Sequence, residues 1–340
     1  MVYKNYIINN TNNNTNNNTN NNMILITGIN GEMGTALVKY LASMQNNKII
    51  GIDIAPAKKN VESLLYKSYV CDITDKKLLN EIFSLNKIRT IYHLAAILST
   101  KAESNPFLSH QVNVNGFLNL INEIKINKKP VKFFFPSSIA VYFLKDSTKA
   151  ILESEFCLPN NIYGCNKLYC EKLGSYFSKY AQDMPDFDFR SIRFPGIISA
   201  NTLPQGGTSD YAPEMIHNAI QHKNYVCFVN QKSCIPFMLM PDAINAIIQL
   251  MKAEKNNLHQ SVYHIQAFNP TVNEIYKELK IFFPEFKLTY NINKKRQMLI
   301  DSWPSQLNQK AAENDWKWSA KYNFKTGIKF LIPKIKEFYS

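Results

Sequence analysis

Tyr163 and Lys167 stand four residues apart, and Ser138 stands 25 residues before Tyr163. Four residues is about one helical turn, so a phenol and an ammonium at that spacing project from one helix face. With a serine hydroxyl they form a set able to oxidise a secondary alcohol. The tyrosine takes the hydroxyl proton while hydride leaves the carbinol carbon for a nicotinamide ring. A free tyrosine titrates near ~10 and is a poor base at neutral pH. Lowering that value by ~3 units requires about 4 kcal/mol of differential stabilisation, which a lysine cation and a positive nicotinamide in a partly desolvated site would supply. Ser138 would hold the substrate oxygen by a hydrogen bond and fix the attack geometry.

Such chemistry needs a dinucleotide. The apolar run at 24–27 leads into Gly28-Ile29-Asn30-Gly31-Glu32-Met33-Gly34, a G-x-x-G-x-x-G turn followed by a helical segment. Residues without Cβ let backbone N–H groups approach a pyrophosphate, and the helix start supplies the positive dipole end. Gly28, Asn30, Gly31, Met33 and Gly34 are therefore candidate cofactor contacts. Asp53 closes the second apolar run, 19 residues after Gly34, where a carboxylate accepts both hydroxyls of an adenosine ribose and repels a 2′-phosphate. Residues 54–57 contain no base, so NAD is expected rather than NADP. Asp72 and Ile73, just past the third run, fit an adenine contact.

The elements that position these groups follow from periodicity. From Met23 onward, short β-type runs alternate with segments of helical period. Strands are expected at 24–27, 48–53, 68–71, 90–94, 132–136 and 188–194, and helices at 76–83, 109–126 and 161–180. Within 109–126, Val112, Phe117, Leu118, Leu120 and Ile121 recur at roughly helical spacing. The fold class is α/β: a Rossmann-type doubly wound parallel sheet with a smaller C-terminal α/β substrate lobe. Residues 23–195 are read as the NAD-binding domain, with elements returning near 241–268, and 196–340 as a discontinuous substrate-binding lobe. In that lobe a helix is expected from about 213, a strand near 225–229, and a helix with Asp242 as its N-cap. Such a sheet presents ligands at the C-terminal edge of its strands, which is where Ser138 falls.

Hydrophobic residues make up 45% of the 340, enough for a full α/β core. Residues 9–22 are almost wholly Asn and Thr, and a tail over 1–22 is expected to be disordered. Lacking arginine, it makes a poor mitochondrial presequence, so a cytoplasmic protein is expected, with a mitochondrial one as the alternative. Met23 is an alternative start. The net charge is +13, yet the lysines are scattered and no RNA-binding motif accompanies them, so no nucleic-acid partner is expected. The six cysteines show neither C-x-x-C pairs nor ligand spacing, which points to reduced thiols in an intracellular protein and to no metal. Apolar stretches fall far short of the ~20 residues of a bilayer crossing. No membrane partner is expected.

Taken together, the quoted segments resemble the extended short-chain dehydrogenase/reductase superfamily, which includes UDP-galactose 4-epimerase, over nearly all of residues 23–324. His93-Leu94-Ala95-Ala96 resembles its fourth-strand cofactor motif. Asn113, in Asn113-Val114-Asn115-Gly116, resembles the asparagine that steadies the central helix. Further stretches are similar to the short-chain L-threonine 3-dehydrogenases in particular. These are Leu94-Ala95-Ala96-Ile97-Leu98-Ser99, Arg193-Phe194-Pro195-Gly196-Ile197-Ile198-Ser199, Gly206-Gly207-Thr208-Ser209-Asp210-Tyr211-Ala212, and the pair Asp301-Ser302-Trp303-Pro304 and Asp315-Trp316-Lys317-Trp318.

The resemblance implies NAD contacts at Leu94, Ala95, Ala96, Asn113, Tyr163, Lys167, Pro195 and Ile197. It implies substrate contacts at Ser99, Ser138, Tyr163, Gly207 and Thr208, L-threonine as substrate, and a homodimer through the helices containing Asn113 and Tyr163. Threonine is a small zwitterion, and a Gly-Gly-Thr loop offers backbone N–H groups and a hydroxyl for its carboxylate. A sugar-nucleotide epimerase or dehydratase is the alternative. It needs phosphate clamps, and Arg296 is the one arginine beyond Arg193. A non-catalytic NAD-binding sensor is a third reading, opposed by the intact Ser138, Tyr163 and Lys167. Phe143, Gln205 and Ser138 depart from the family pattern.

Overall fold

The computed structural model describes residues 23–44, 47–145, 150–200, 202–204 and 207–339. The expected disordered tail, Gln205 and Gly206 lie outside the described residues. Runs rich in Ile, Val and Phe suit strands buried on both faces. They form β1 (Met23–Thr27), β2 (Lys48–Asp53), β3 (Lys67–Val70), β4 (Ile88–His93), β5 (Val131–Ser138) and β6 (Phe187–Phe194). Shorter strands follow: β7 (Gly196–Ile198), β8 (Tyr225–Cys227), β9 (Phe237–Leu239), β10 (Val262–His264) and β11 (Leu288–Tyr290).

Seven strands make the main sheet, in the order β10-β6-β5-β4-β1-β2-β3. β1 runs parallel to both β2 and β4, with Thr27 opposite Ile52 and His93. The strand order reverses between β1 and β4, and an open α/β sheet binds its ligand in the crevice at such a reversal. This is the doubly wound α/β sheet that the alternation of runs predicts.

Helices carry the connections: α1 (Glu32–Ala42), α2 (Lys59–Glu62), α3 (Lys76–Leu85), α4 (Ser99–Ser104), α5 (Pro106–His110), α6 (Gly116–Asn127) and α7 (Ile162–Lys179). Beyond them lie α8 (Tyr211–Ile220), α9 (Met240–Lys252), α10 (Val272–Phe282) and α11 (Lys294–Asp301). Two expectations change. The single helix expected over 109–126 begins earlier, at Pro106, and a π-helical turn, Gln111–Asn115, parts α5 from α6. Such a turn shifts side-chain phase within a helix, often at functional sites. Asp242 is not an N-cap either, because α9 opens at Met240 with Pro241 in its first turn. The Asp242 carboxylate instead accepts the backbone N–H groups of Lys321 (3.0 Å) and Tyr322 (3.2 Å).

The chain divides into two compact units. The first comprises the described parts of Met1–Ile97 with Asn105–Pro136 and Tyr169–Ser191. Its core holds Leu25, Ile50, Ile91, Phe117 and Phe133, with the last two rings edge to face at 5.6 Å. The second comprises Leu98–Ser104, Ser137–Leu168 and Ile192–Ser340, with Tyr211, Ile235, Phe237 and Trp303 in its core. None of the six cysteines forms a disulfide. Among the described residues, no helix is long and apolar enough to cross a membrane.

Candidate active site

In the first unit, the turn after β1 is shaped by what its glycines must avoid. Gly28 has φ +75°, and a Cβ there would lie 2.8 Å from the Ala95 nitrogen; a Cβ at Gly34 would lie 2.1 Å from the Gly28 carbonyl oxygen. Both positions are thus required by the fold itself. Gly31 is different. It is the exposed N-cap of α1, and a Cβ there would meet only the Gly28 oxygen, at 3.2 Å. What a side chain at Gly31 would cover is the N-terminal end of α1, the place where a pyrophosphate accepts backbone N–H groups. The turn therefore fits a dinucleotide. Met33 sits half-buried in the first turn of the same helix.

Asp53 ends β2 with both carboxylate oxygens on main chain: Oδ2 accepts the Asn30 N–H (2.9 Å) and Oδ1 the Ala55 N–H (3.3 Å). Asn30 donates from its amide to the carbonyls of Ala55 (3.2 Å) and Pro56 (3.0 Å). Lys58 closes the loop, its ammonium donating to the Asn30 carbonyl (2.8 Å) and its N–H to Asn30 Oδ1 (3.0 Å). The basic residue absent from 54–57 thus occurs one position later, turned back onto the glycine turn.

Asp72 is exposed and accepts from the Thr74 N–H (2.9 Å) and hydroxyl (2.8 Å). Ile73 is buried, its Cγ2 where a Cβ on Gly116 would come within 2.5 Å. At the mouth of β4, Thr27 Oγ1 accepts the Ala95 N–H (3.1 Å) and shares a hydrogen bond with His93 Nδ1 (2.9 Å). Leu94, Ala95 and Ala96 are part-exposed there. Asn113, in the π-helical turn, pairs with both polar groups of the Ile97 peptide: its oxygen accepts the N–H (2.7 Å) and its amide donates to the carbonyl (2.9 Å). The helical phase shift is what aims this side chain at the chain leaving β4.

In the second unit, Ser138 Oγ accepts the Ala140 N–H (3.1 Å), capping a short 3-10 turn. The hydroxyl hydrogen is left to donate outward. The carbonyl of Ala140 accepts from the Asn161 amide (3.1 Å), and Asn161 Oδ1 accepts the Gly164 N–H (2.7 Å), capping α7. A Cβ on Gly164 would lie 2.0 Å from the same carbonyl. Glycine next to Tyr163 therefore lets the helix settle onto the turn that follows Ser138. Glu103, in the helix opened by half-buried Ser99, accepts the Ile162 N–H (2.7 Å) at the start of α7. Lys167 Nζ stands 5.5 Å from the centre of the Tyr163 ring. Burial pushes the Tyr163 phenol above its ordinary value. Burial thus favours the neutral phenol over the tyrosinate.

The segment after β6 is anchored through buried Arg193, which donates to the Tyr142 hydroxyl and to the Glu153 carbonyl (2.6 Å). Tyr142 also bonds His264 Nε2, and His264 Nδ1 meets the Asn308 carbonyl (3.2 Å). Burial, then the Arg193 charge, pushes the His264 pKa down to about 3. Pro195 is buried and Ile197 half-buried beside it, in or next to β7, which pairs with β9. Further along, the Gly207 N–H donates to Asp210 Oδ2 (2.6 Å), so that N–H is not the one offered to a ligand. Arg296, stacked 3.3 Å from the centre of the Phe228 ring, donates to the Gly207 carbonyl. Thr208 follows, buried.

The first unit thus gathers Gly28, Asn30, Gly31, Met33, Gly34, Asp53, Asp72, Ile73, Leu94, Ala95, Ala96 and Asn113. The second holds Ser99, Ser138, Tyr163, Lys167, Pro195, Ile197, Gly207 and Thr208. Sequence reasoning missed Lys58, Glu103, Asn161 and Arg296 as positioning groups. Only Asn161 carried a local signal, an N-cap residue type at a helix start.

An uncharacterised epimerase/dehydratase of Staphylococcus saprophyticus is 32% identical, covering 92% of this chain and 97% of that one. The mitochondrial L-threonine 3-dehydrogenase of Bos taurus is 32% identical, covering 87% of this chain and 78% of its own. The solved structure of a monomeric L-threonine 3-dehydrogenase from a metagenome superposes with a TM-score of 0.85 at 35% identity, covering 94% of this chain and 100% of that one. A turn fit for a pyrophosphate, an acid closing β2 and a Tyr-Lys helix fall within one family model, matched over residues 24–265, and the chain belongs to the NAD dependent epimerase/dehydratase family.

Proposed function

We propose that this enzyme oxidises L-threonine to 2-amino-3-oxobutanoate with Tyr163 as the base, in threonine breakdown toward glycine. The observation that carries the reading is the seating of Tyr163 and Lys167 on the turn after Ser138, through Gly164, in a chain that matches L-threonine 3-dehydrogenases over nearly its whole length. NAD, when bound, supplies the hydride acceptor and a positive charge beside the phenol. Gly28, Asn30, Gly31, Met33 and Gly34 hold its pyrophosphate, Asp53 its adenosine ribose, and Asp72 and Ile73 its adenine. Its further contacts are Leu94, Ala95, Ala96 and Asn113 of the first unit and Tyr163, Lys167, Pro195 and Ile197 of the second. We read residues 23–195, with elements returning near 241–268, as the NAD-binding domain and 196–340 as the discontinuous substrate lobe, while residues 98–104, 137–168 and 192–195 belong to the same compact unit as that lobe.

Burial raises the Tyr163 phenol; the Lys167 ammonium beside the ring and the positive nicotinamide of bound NAD would together favour the tyrosinate, which then takes the proton of the threonine hydroxyl. Ser138 donates to the same oxygen. Ser99 and Thr208 hold the amino-acid end, with Gly207 serving through close backbone approach rather than through its N–H, which Asp210 takes. The product is a β-keto acid and loses carbon dioxide readily to give aminoacetone. Exposed Phe107, Tyr169, Tyr176 and Tyr180, on or at the ends of the helices that flank Asn113 and continue Tyr163, support a homodimer through those helices, which a sizing column tests. The compartment is the cytoplasm, or the mitochondrion as in the bovine relative's name.

The test is NADH absorbance with L-threonine, L-allo-threonine and L-serine, beside an epimerase assay on UDP-galactose. NADH formed with L-threonine is expected. Conversion of UDP-galactose with no response to threonine overturns the reading.

A further inference from the structure

The adenosine end of the site holds a cation as well as an acid. Asn30 carries both: its N–H donates to Asp53 Oδ2 (2.9 Å), and its carbonyl accepts from the Lys58 ammonium (2.8 Å). The N and O of one residue lie within about 3.6 Å of each other, which puts the ammonium within about 10 Å of the carboxylate. The intervening loop is tied to Asn30 by three further hydrogen bonds, from the Lys58 N–H and the Asn30 amide, so the fold fixes the base of the lysine stem while the ammonium at its end is held by its bond to the Asn30 carbonyl. Lys58 is exposed and caps α2, so its ammonium turns back over the loop rather than along a helix.

We propose that Lys58 is a latent 2′-phosphate site, and that the charge of Asp53 alone keeps this enzyme on NAD. The inference rests on the reading of Asp53 as the ribose acid. A ribose 2′-phosphate carries close to two negative charges and would stand against the Asp53 carboxylate. With that carboxylate neutral, the repulsion is gone and a cation already stands on the same turn. Lysine serves as a point charge on a flexible stem. To reach a phosphate, Lys58 releases one exposed hydrogen bond to a carbonyl that water then solvates. Switching the cofactor therefore needs one substitution that removes charge and none that adds it.

The experiment is calorimetric titration of the full chain with NAD, NADP and adenosine 2′,5′-bisphosphate, at low and high salt. Asp53→Asn is the variant of choice, because asparagine keeps an oxygen to accept the Asn30 N–H; Asp53→Ser replaces it should it not fold. Wild type is expected to bind NAD at least tenfold more tightly than NADP. Asp53→Asn gains at least tenfold for the bisphosphate, a gain weakened by salt and lost in Asp53→Asn/Lys58→Met. The same gain survives in Asp53→Asn/Lys59→Met, which removes a neighbouring charge of equal size. A wild type that binds NAD, with an Asp53→Asn that gains nothing or a gain that survives Lys58→Met, overturns the proposal alone. A wild type that binds NADP as well as NAD overturns the reading of Asp53 and the proposal with it.

Discussion

The two units approach their ligands with different parts of the chain. On the proposed function, the first works mainly through backbone: glycines chosen for the atoms they lack, carbonyl and N–H groups held by Asn30 and Asn113, and one carboxylate. The second works through side-chain atoms, the hydroxyls of Ser99, Ser138, Tyr163 and Thr208 and the ammonium of Lys167, with Ser138 capping the turn that follows it and Lys167 beside the Tyr163 ring. A backbone site tolerates changes of side-chain chemistry and is broken by added volume. A side-chain site is broken by the loss of a single atom.

The largest expected effect is at the second unit. Tyr163→Phe removes one oxygen and is expected to lower kcat by about 10²–10⁴-fold, the range of a lost acid–base group, with NAD affinity nearly unchanged by titration. A variant retaining near-wild-type turnover would show that the hydroxyl is not the base. For the first unit, Gly34→Ala and Gly31→Ala separate fold from binding. A methyl at Gly34 lands 2.1 Å from a carbonyl oxygen and should unfold the turn, lowering Tm and abolishing NAD binding together. At Gly31 the nearest atom is 3.2 Å away, so Tm should hold while NAD affinity falls roughly tenfold, about 1.4 kcal/mol.

Smaller effects sharpen the contrast. Burial raises the Tyr163 phenol, and below its pKa the fraction in the base form grows as pH rises, so oxidation should speed up with pH. On the proposed mechanism Lys167→Met removes a cation that favours the tyrosinate and should move the rising limb of kcat to higher pH; an unmoved limb would deny Lys167 its part. Arg296→Leu frees the Gly207 carbonyl and should raise the threonine KM several-fold with little change in kcat, whereas an equal fall in kcat would tie that loop to the chemical step.

How much of this was legible in the sequence follows the same division. The glycine turn, Asp53 and the Tyr-Lys pair are local patterns, set by strand end, turn and one helical turn, and the strands stand within a few residues of the apolar runs. Asn113 was recognisable by resemblance, but the π-helical turn that carries it was not, and the Ile97 groups it bonds lie 16 residues away. Glu103 meets α7 across 59 residues and Arg296 meets Gly207 across 89. No spacing rule reaches that far. Asp242 misled because an acid near a helix start reads as a cap, while here the polar groups it satisfies belong to a segment 79 residues on.

The buried run of Arg193, Tyr142 and His264 sets a limit on the conditions this protein survives. Its core keeps His264 uncharged, with a pKa of about 3 against 6.5 in the open chain. Between those values the unfolded chain takes up a proton that the folded one refuses. The contribution is fully present above about pH 6.5 and is lost as pH falls, at about 1.4 kcal/mol per unit until the folded value is reached. Melting followed from pH 7.5 to 4.5 should show that slope in the second unit, and His264→Asn should flatten it. The same packing that anchors the segment after β6 thus makes the fold lose stability as the medium acidifies.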